Sequence, residues 1–513
     1  MIPAERRIAG VQALIDKGAY FVVHAPRQTG KTTAMKALAR RLTAEGRYAA
    51  LRFSCQNAGV FPEDVGAAEE AVWGALIAAA SAELPESLQP PERVDEKPGN
   101  FLQTQLTRWA KACPRPLVLV FDEIDAIGGS SVKSILSQLR SGFDGRPAPF
   151  PWSVILCGMR DVRDYKAASG GDPTRLGSSS PFNIKEESLL IRNFTEAEMR
   201  ELYGQHTAET GQVFTEDALL RAWALSQGQP WLTNALAREV VEKLSVPLAE
   251  PVTAAHLDEA KERLILARAT HLDSLLARLR EDRVRRVLEP ILAGELPNDD
   301  PYDDDYAYTR DLGLITPRPE VRIANPIYRE IILRVLAQTA ETAVFTDRRR
   351  YLRGDGTLDF GALLQGFAEF WTEHGEILAG RMAYPEVAPQ LVLMAYLHRI
   401  VNGGGFIDRE VGLGTKRIDL LIRWPRTSSS DAGGKPAVQR EAIELKVWRD
   451  RDKKGDPLPA GLVQLDEYLA SLGLSEGVLV IFDARAKAAP IEERTRFEEA
   501  MTRAGRKVTV LRA

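Results

Sequence analysis

The sequence predicts an α/β protein of several domains, and three features carry that prediction. An apolar run at 20–23 passes through a short polar loop into an alanine- and leucine-rich helical pattern. Two later apolar runs, 117–121 and 153–157, predict further buried strands of a parallel sheet. From about residue 381 the pattern changes to strand hairpins, along which side chains alternate between two faces. Because 513 residues exceed the size of one hydrophobic core, we expect three or four domains.

The composition is that of an ordinary globular protein. Hydrophobic residues make up 44% of the chain and charged residues 27%, and the net charge of −4 favours no particular partner. The three cysteines, Cys55, Cys113 and Cys157, lack paired spacing, which fits a reducing compartment without structural zinc. The sequence has no run of about 18 apolar residues and no N-terminal apolar signal core. We therefore expect a cytoplasmic protein without a membrane partner.

The loop after the first predicted strand has the sequence of a phosphate-binding loop. Ala25-x4-Gly30-Lys31-Thr32 fits the pattern G-x4-G-K-[ST], with alanine in place of the first glycine. A helix that begins here would direct unpaired N–H groups and its positive dipole end at an anion. Lys31 is predicted to reach the β- and γ-phosphates of ATP, and the Thr32 hydroxyl to hold Mg²⁺. The alternative is a chance Gly-Lys-Thr in a surface turn. The predicted nucleotide contacts in this loop are Ala25, Pro26, Arg27, Gln28, Thr29, Gly30, Lys31, Thr32 and Thr33.

An acidic pair ends the next apolar strand, at the edge where ligands bind in open α/β sheets. Asp122 is predicted to hold Mg²⁺ through water, and Glu123 to polarise the water that attacks ATP. The alternative is a pair that only complements a helix dipole. Arg160 is the predicted cation for the γ-phosphate, with an ion pair to a neighbouring aspartate as its alternative, and Arg140 is a second candidate.

The sequences HAPRQTGKTT, FDEID and SVILCGMRDVRDY resemble the AAA-like ATPases near the origin-recognition and signal-transduction (STAND) groups. The resemblance covers roughly residues 1–340 and implies a P-loop NTPase parallel sheet followed by a helical lid. In such lids a Gly-x-Pro abuts the nucleotide, so Gly228 and Pro230 are implied contacts. A simple break between two helices is the alternative. A homo-oligomer formed through the ATPase domain and a protein activator are the further partner hypotheses.

Residues 276–345 read as helix, acidic loop, helix, short strand and helix, an order that resembles a winged helix. Winged helices bind DNA or serve as spacers between domains. The acidic clusters at 299–300 and 303–305 would repel a phosphate backbone, which favours the spacer. The stretch that follows, 346–380, is predicted to be a linker.

A second chemical centre is predicted near the C-terminus. In REAIELKVW, alternation puts Glu444 and Lys446 on one face of a strand, and Asp419 lies on the strand before it. Phosphodiester hydrolysis needs two carboxylates spaced for Mg²⁺ and one lysine. The metal polarises the phosphate and activates water, and the lysine stabilises charge. The alternative is a strand that carries glutamate and lysine on its solvent-facing side.

Two neighbouring features extend this motif to a family resemblance. Helix GLVQLDEYLASLG puts Gln464 and Tyr468 four residues apart on one face, which resembles the fourth motif of exonuclease-type PD-(D/E)xK nucleases. Glu386 matches the helix glutamate of that superfamily, with a helix-capping glutamate as the alternative. The resemblance spans 381–513 and implies a restriction-endonuclease-like α/β/α domain. It further implies Mg²⁺ or Mn²⁺ on Asp419, Glu444 and Glu386, and substrate contacts from Gln464 and Tyr468.

Together these interpretations predict an ATP-binding and ATP-hydrolysing switch that controls a Mg²⁺-dependent nuclease. DNA is the expected substrate and bacterial defence against foreign DNA the expected setting, by analogy of architecture. Residues 381–513 hold 22 Lys and Arg against 18 Asp and Glu, a basic excess where a phosphate backbone would bind. The alternative is a signalling or assembly ATPase whose nuclease-like domain only binds nucleic acid or a protein partner. The predicted domains are 1–180 (ATPase core), 181–275 (helical lid), 276–345 (winged-helix-like), 346–380 (linker) and 381–513 (nuclease-like).

Overall fold

Two compact units make up the protein. The first comprises Met1–Leu275 with Asn298–Tyr328, and the second comprises Leu276–Pro297 with Arg329–Ala513. The segment predicted as one winged-helix-like domain is therefore divided between the units. The structure is a computed structural model that describes residues 4–146, 149–158, 185–267, 277–292, 303–317, 319, 321–341, 348–380, 387–401, 404–413, 416–430, 436–450 and 455–513.

The described strands of the first unit form a five-stranded sheet. They are β1 (Tyr20–His24), β2 (Ala49–Ser54), β3 (Leu117–Asp122), β4 (Ser153–Gly158) and β5 (Lys185–Leu190). All pairs are parallel, in the order β2-β3-β4-β1-β5, which confirms the predicted parallel sheet. The apolar runs suit strands that are covered on both faces. The carboxyl ends of β1 and β3 lie on either side of β4 at one edge, where ligands bind in such sheets.

Helices cover both faces of this sheet. One face packs against α1 (Val11–Asp16) and α2 (Lys31–Ala44). The other face packs against α3 (Val65–Glu83), α4 (Phe101–Ala112) and α5 (Gly129–Asp144). By length and composition α3 could cross a bilayer, but its Val72 and Leu76 are buried in this core. A helix in the core of a protein can have the same length and composition, so these two properties are weak evidence that α3 spans a membrane.

The interval predicted as a lid is helical. Its first helix begins with a capping box, because Glu198 N donates to Thr195 Oγ1 and Thr195 N donates to the Glu198 carboxylate. The helices are α6 (Glu196–Thr210), α7 (Glu216–Ser226), α8 (Pro230–Arg238) and α9 (Ala254–Leu266). Further along the chain lie α10 (Asp282–Leu292), α11 (Asp304–Asp311) and α12 (Pro326–Glu341). The short strand predicted before α12 is a single antiparallel bridge between Ile315 and Ile323.

The described strands of the second unit form a six-stranded mixed sheet in the order β10-β11-β9-β8-β7-β6. They are β6 (Phe406–Leu413), β7 (Lys416–Ser430), β8 (Pro436–Trp448), β9 (Glu476–Asp483), β10 (Arg496–Met501) and β11 (Lys507–Arg512). Helices α13 (Phe360–Phe370), α14 (Glu376–Gly380), α15 (Ala388–Val401), α16 (Leu458–Leu472) and α17 (Ile491–Arg494) accompany them. Helix α16 covers one face, where Leu465 and Leu469 pack with Leu479 and Ile481.

Two predicted boundaries in this unit need correction. The interval 346–380, predicted as a linker, contains α13 and α14, and its aromatic side chains pack on the sheet. The rings of Phe367 and Trp371 lie 6.3 and 4.9 Å from the ring of Phe482. The hydrophobic run FGALLQGFAEFW therefore forms core, which a linker would not contain. The sequence TSSSDAGGKP, at 427–436, reads as a loop, but β7 continues to Ser430 and β8 begins at Pro436.

Candidate functional site

The loop between β1 and α2 has a backbone conformation suited to phosphate binding. Gly30 caps α2 with a φ of 84°, and Gln28 has a φ of 57°, which is rare for a residue other than glycine. Ala25 has no positive φ, so a methyl group is tolerated where the consensus has glycine. Lys31 Nζ donates to the carbonyls of Ala25 and Pro26, at 2.6 and 2.8 Å. Burial lowers the pKa of Lys31, so an anionic ligand would stabilise its charge.

A buried arginine near the N-terminus holds this loop. Arg7 Nη2 donates to the Thr29 carbonyl at 2.7 Å, and the guanidinium carbon lies 5.0 Å from the centroid of the Phe194 ring. A Cβ at Gly30 would lie 3.0 Å from the same nitrogen, which is a second reason for glycine there. Burial lowers the pKa of Arg7. The sequence analysis missed Arg7, because nothing in the local pattern distinguishes it from its neighbour Arg6.

The buried carboxylate of Asp122 lies beside the loop at the end of β3. Its Oδ2 accepts hydrogen bonds from Thr32 Oγ1 at 2.9 Å and from Arg52 Nε at 2.8 Å. Its Oδ1 accepts a hydrogen bond from Glu123 N at 3.0 Å. A hydroxyl and a carboxylate oxygen, the hard ligands that Mg²⁺ prefers, are thus adjacent. Thr32 and Asp122 therefore fit the predicted metal, whereas the Arg52 contact was not predicted.

Glu123 is directed by a strained backbone. Its φ of 59° lies in the left-handed region, which costs a non-glycine residue about 1 kcal/mol or more. Its Oε2 accepts a hydrogen bond from Ser54 Oγ at 2.5 Å, at the end of the neighbouring strand β2. A carboxylate oriented in this way can take a proton from water. The sequence analysis missed Ser54 and Arg52, although their alternation along β2 is a signal that could have found both.

The Gly-Gln-Pro of the lid packs on the segment after β5. Phe194 N donates to the Gly228 carbonyl at 2.8 Å, and a Cβ at Gly228 would lie 2.1 Å from the Phe194 carbonyl oxygen. Pro230 is buried in the first turn of α8, where a missing N–H costs nothing. The ring of Phe194 also packs against the guanidinium of Arg7, which holds the phosphate-binding loop. A series of contacts therefore connects this tripeptide to that loop. Direct contact of Gly228 and Pro230 with nucleotide stays a prediction.

Arg160 and Glu386 lie outside the described residues. Arg140 on α5 is partly exposed, and its Nε lies 3.7 Å from Asp144 Oδ2, one helical turn along. This is an ordinary helix ion pair.

In the second unit, β7 and β8 bring three predicted residues together. The antiparallel register, continued by one pair, places Asp419 opposite Glu444 on the same face of the sheet. Asp419 Oδ2 accepts a hydrogen bond from Leu445 N at 2.8 Å. Lys446 Nζ donates to Glu444 Oε1 at 2.5 Å. Asp419, Glu444 and Lys446 therefore lie together, and we call these two carboxylates and their lysine the carboxylate cluster.

Burial disfavours the charged forms of both carboxylates. Burial, together with the charge of Asp419, raises the pKa of Glu444 to about 7, and burial also raises the pKa of Asp419. Within the described part of the chain, the buried Glu444 Oε2 accepts no hydrogen bond. A divalent cation between the carboxylates would satisfy that oxygen and lower both pKa values. The cluster therefore fits Mg²⁺ or Mn²⁺.

Helix α16 does not present Gln464 and Tyr468 in the same way. Gln464 is exposed, whereas Tyr468 is buried with Leu465 and Leu479 in the core under the helix. That both side chains flank a substrate stays a prediction, and the ring of Tyr468 is held by apolar packing. Over the described ranges, no group of three or more His, Cys, Asp or Glu could hold a metal ion. The cluster thus offers two carboxylates and no third ligand of these types from the described residues.

Comparison with known proteins agrees with the geometry of the first site. A strand, a Gly-Lys-Thr loop and a helix, with an acidic pair at the end of a nearby strand, define a P-loop nucleotide-binding domain. Residues 15–165 match the family described as AAA domain. This part of the first unit is therefore a P-loop ATPase domain of the AAA class. None of the curated proteins matches the chain.

Several solved structures match the chain at low similarity. The RuvB Holliday junction branch migration motor of Thermotoga maritima is 15% identical, over 63% of this chain and 91% of its own, with a TM-score of 0.33. The ORC1 protein of Aeropyrum pernix, solved in complex with DNA, is 14% identical over 67% and 95%, with a TM-score of 0.33. CDC6P from Pyrobaculum aerophilum is 14% identical over 61% and 85%, with a TM-score of 0.32. Similarities this low carry no conclusion about what the chain binds or does.

Proposed function

We propose that the chain is an ATP-controlled nuclease. ATP binding and hydrolysis in the first unit regulate the metal-dependent cleavage of nucleic acid, with DNA as the preferred substrate, by the second unit. The observation that carries the proposal is the pairing of Glu444 with Asp419. A buried carboxylate with one oxygen lacking a described partner, beside a second carboxylate, is suited to a divalent cation.

The ATPase half rests on residues with separate roles. Lys31 binds the phosphates, Thr32 and Asp122 hold Mg²⁺, and Glu123 accepts the proton of the attacking water. The hydrogen bond from Ser54 orients Glu123 before nucleotide arrives. A water in line with the γ-phosphate can then lose its proton to this carboxylate.

The cleavage half uses the carboxylate cluster. Asp419 and Glu444 would hold the metal, which when bound polarises the phosphate and lowers the pKa of a water molecule. Lys446, 2.5 Å from Glu444 Oε1, supplies a positive charge beside the phosphate. The basic excess of residues 381–513 favours the approach of a polyanion.

Cleavage assays on the full chain test the proposal. Linear and supercoiled DNA, with RNA in parallel, are incubated with Mg²⁺ or Mn²⁺, with and without ATP. Glu444→Gln and Asp419→Asn each remove a ligand charge, so we expect cleavage to fall at least about 100-fold while ATP hydrolysis continues. Lys31→Ala should abolish nucleotide binding and its effect on cleavage. Glu441→Gln is the matched control, because Glu441 lies on the same strand and accepts a hydrogen bond from Gln439.

Two outcomes would contradict this function. Cleavage that survives Glu444→Gln would exclude the cluster as its source. Binding of DNA or a protein by the wild-type chain, without cleavage under any of these conditions, would favour the signalling or assembly ATPase instead.

A further inference from the structure

An arginine on β2 occupies the metal-binding side of Asp122. Arg52 donates from both Nε and Nη2 to the same carboxylate oxygen, Oδ2, at 2.8 and 2.5 Å. Thr32 Oγ1 donates to that oxygen as well, at 2.9 Å. One oxygen of Asp122 therefore receives three donors, and two of them belong to a permanent cation.

This arrangement competes with Mg²⁺. A metal held by Thr32 and Asp122, directly or through water, needs the carboxylate that Arg52 now neutralises. A divalent ion and a guanidinium within contact distance also repel each other strongly where water is scarce. Metal binding is therefore favourable only if the guanidinium moves, or if another anion offsets the added positive charge.

The side chain of Arg52 is better placed to move than that of Asp122. The Arg52 side chain is 19% exposed, and that of Asp122 is 1% exposed. The guanidinium borders solvent at the end of a long side chain, so it can leave Asp122 without disturbing the core. Asp122 is fixed by its own backbone contact to Glu123 N.

The nucleotide supplies the missing anion in only one of its forms. A nucleoside triphosphate adds the charge of a γ-phosphate next to the metal, and a diphosphate does not. We propose that Arg52 is the resident counter-ion of Asp122, and that it yields to Mg²⁺ when a γ-phosphate is present to receive its guanidinium. Arg52 thereby discriminates nucleoside triphosphate from diphosphate. This inference rests on the nucleotide binding of the proposed function.

The test measures binding rather than turnover. Dissociation constants of a fluorescent ADP and a fluorescent non-hydrolysable ATP analogue are measured on the full chain, in Mg²⁺ and in EDTA. In the wild type we expect Mg²⁺ to change ADP affinity by less than about threefold, because the cations compete. In Arg52→Gln we expect Mg²⁺ to tighten ADP about tenfold or more, and the preference for the ATP analogue to shrink.

Two further variants keep the test decisive. Arg40→Gln removes an exposed arginine that pairs with Glu83, and it should behave as the wild type. Arg52→Lys keeps the charge with fewer fixed donors, so it should give an intermediate Mg²⁺ effect. It also replaces Arg52→Gln if that variant fails to fold.

The outcomes are separable. Equal Mg²⁺ dependence of ADP binding in Arg52→Gln and the wild type would overturn the role of Arg52. Loss of all nucleotide binding in a folded Arg52→Gln would also overturn it, because the arginine would then be an ordinary ligand contact. If the wild type itself binds no nucleotide, the proposed function fails, and this inference fails with it.

Discussion

The two sites hold buried acids in opposite electrostatic settings. In the first unit, Asp122 has Arg52 as its own cation and Thr32 as a further donor. In the second unit, Asp419 and Glu444 lie beside each other, Lys446 donates to Glu444, and Arg329 acts on Asp419 through its charge. Burial and the charge of Asp419 raise the pKa of Glu444, so a proton or a divalent cation would stabilise that pair of carboxylates. In the proposed mechanism the first site therefore regulates metal binding, and the second requires it.

The backbone differs between the sites as well. Around the phosphate loop, Gln28, Gly30, Glu123 and Gly228 all have positive φ values. The carboxylate cluster lies on regular antiparallel strands. Strained backbone persists only where the surroundings over-determine it, so the first site should be the less tolerant of small steric changes.

The largest expected effect is on the free energy of unfolding, and it tests whether the backbone of the first site is less tolerant of steric change. Gly228→Ala would place a Cβ 2.1 Å from the Phe194 carbonyl oxygen at a φ of 68°, so we expect the free energy of unfolding to fall by about 2–4 kcal/mol. Urea denaturation followed by circular dichroism measures this. Gly204→Ala is the control, because Gly204 lies in α6 with no atom within 4 Å of its added Cβ. It should stabilise the protein by about 0.5–1 kcal/mol. If the two substitutions changed the free energy of unfolding equally, the backbone at Gly228 would not be constrained as described.

A smaller effect concerns the pH dependence of the second site. Without metal, folded Glu444 holds a proton up to a pKa of about 7, whereas its ordinary pKa is 4.5. The unfolded state therefore binds fewer protons between these values, and stability should fall as pH rises through this window, by about 1–2 kcal/mol between pH 5 and 7.5. Thermal melts in EDTA, compared with melts of Glu444→Gln, isolate this contribution.

The same thermal melts can be repeated with added metal. Mg²⁺ or Mn²⁺ should stabilise the wild type more at pH 8 than at pH 6, because the metal must displace the proton of Glu444 at the lower pH. Glu441→Gln should keep the wild-type behaviour. The same metal shift at both pH values would mean that Glu444 is not a ligand.

The smallest expected effect is on the orientation of Glu123. Ser54→Ala removes one hydrogen bond to its carboxylate, a contact that contributes about 1 kcal/mol. We expect ATP turnover to fall about three- to tenfold while ATP affinity is unchanged, because the side chain touches the base and not the phosphate loop. Steady-state hydrolysis together with nucleotide binding distinguishes these quantities. A loss of affinity equal to the loss of turnover would contradict the orienting role.

The sequence predicts those parts of the sites that lie in one short segment or on adjacent positions of one strand. Lys31 and Thr32 follow from a contiguous motif, and Glu444 and Lys446 follow from alternation along β8. The position of Asp419 opposite Glu444 could be anticipated because a hairpin joins their strands. Whether these residues cut nucleic acid stays a prediction.

Residues that reach a site from distant segments could not be predicted. Arg7 meets Thr29 and Phe194 only after the sheet has formed, and Arg52 meets Asp122 because β2 and β3 are neighbours. Arg7 carries no local pattern that sets it apart, and the alternation of Arg52 with Ser54 along β2 indicates a shared face but not the carboxylate that Arg52 meets. The burial of Tyr468 could not be predicted either, since helical spacing gives Gln464 and Tyr468 a shared face but not which of them the core will bury.

The burial of two cysteines beside Asp122 has a consequence for how this domain can be followed in solution. Burial, reinforced by the charge of Asp122, raises the pKa of Cys55 and of Cys157 above that of an ordinary thiol. Thiolate is the reactive form, so a closed domain protects both from alkylation, and Cys113 reacts first because it is partly exposed. The rate at which Cys55 and Cys157 are alkylated therefore measures the local opening of the sheet edge around Asp122 and Glu123. The native cysteines thus report the rate of that motion without an engineered probe.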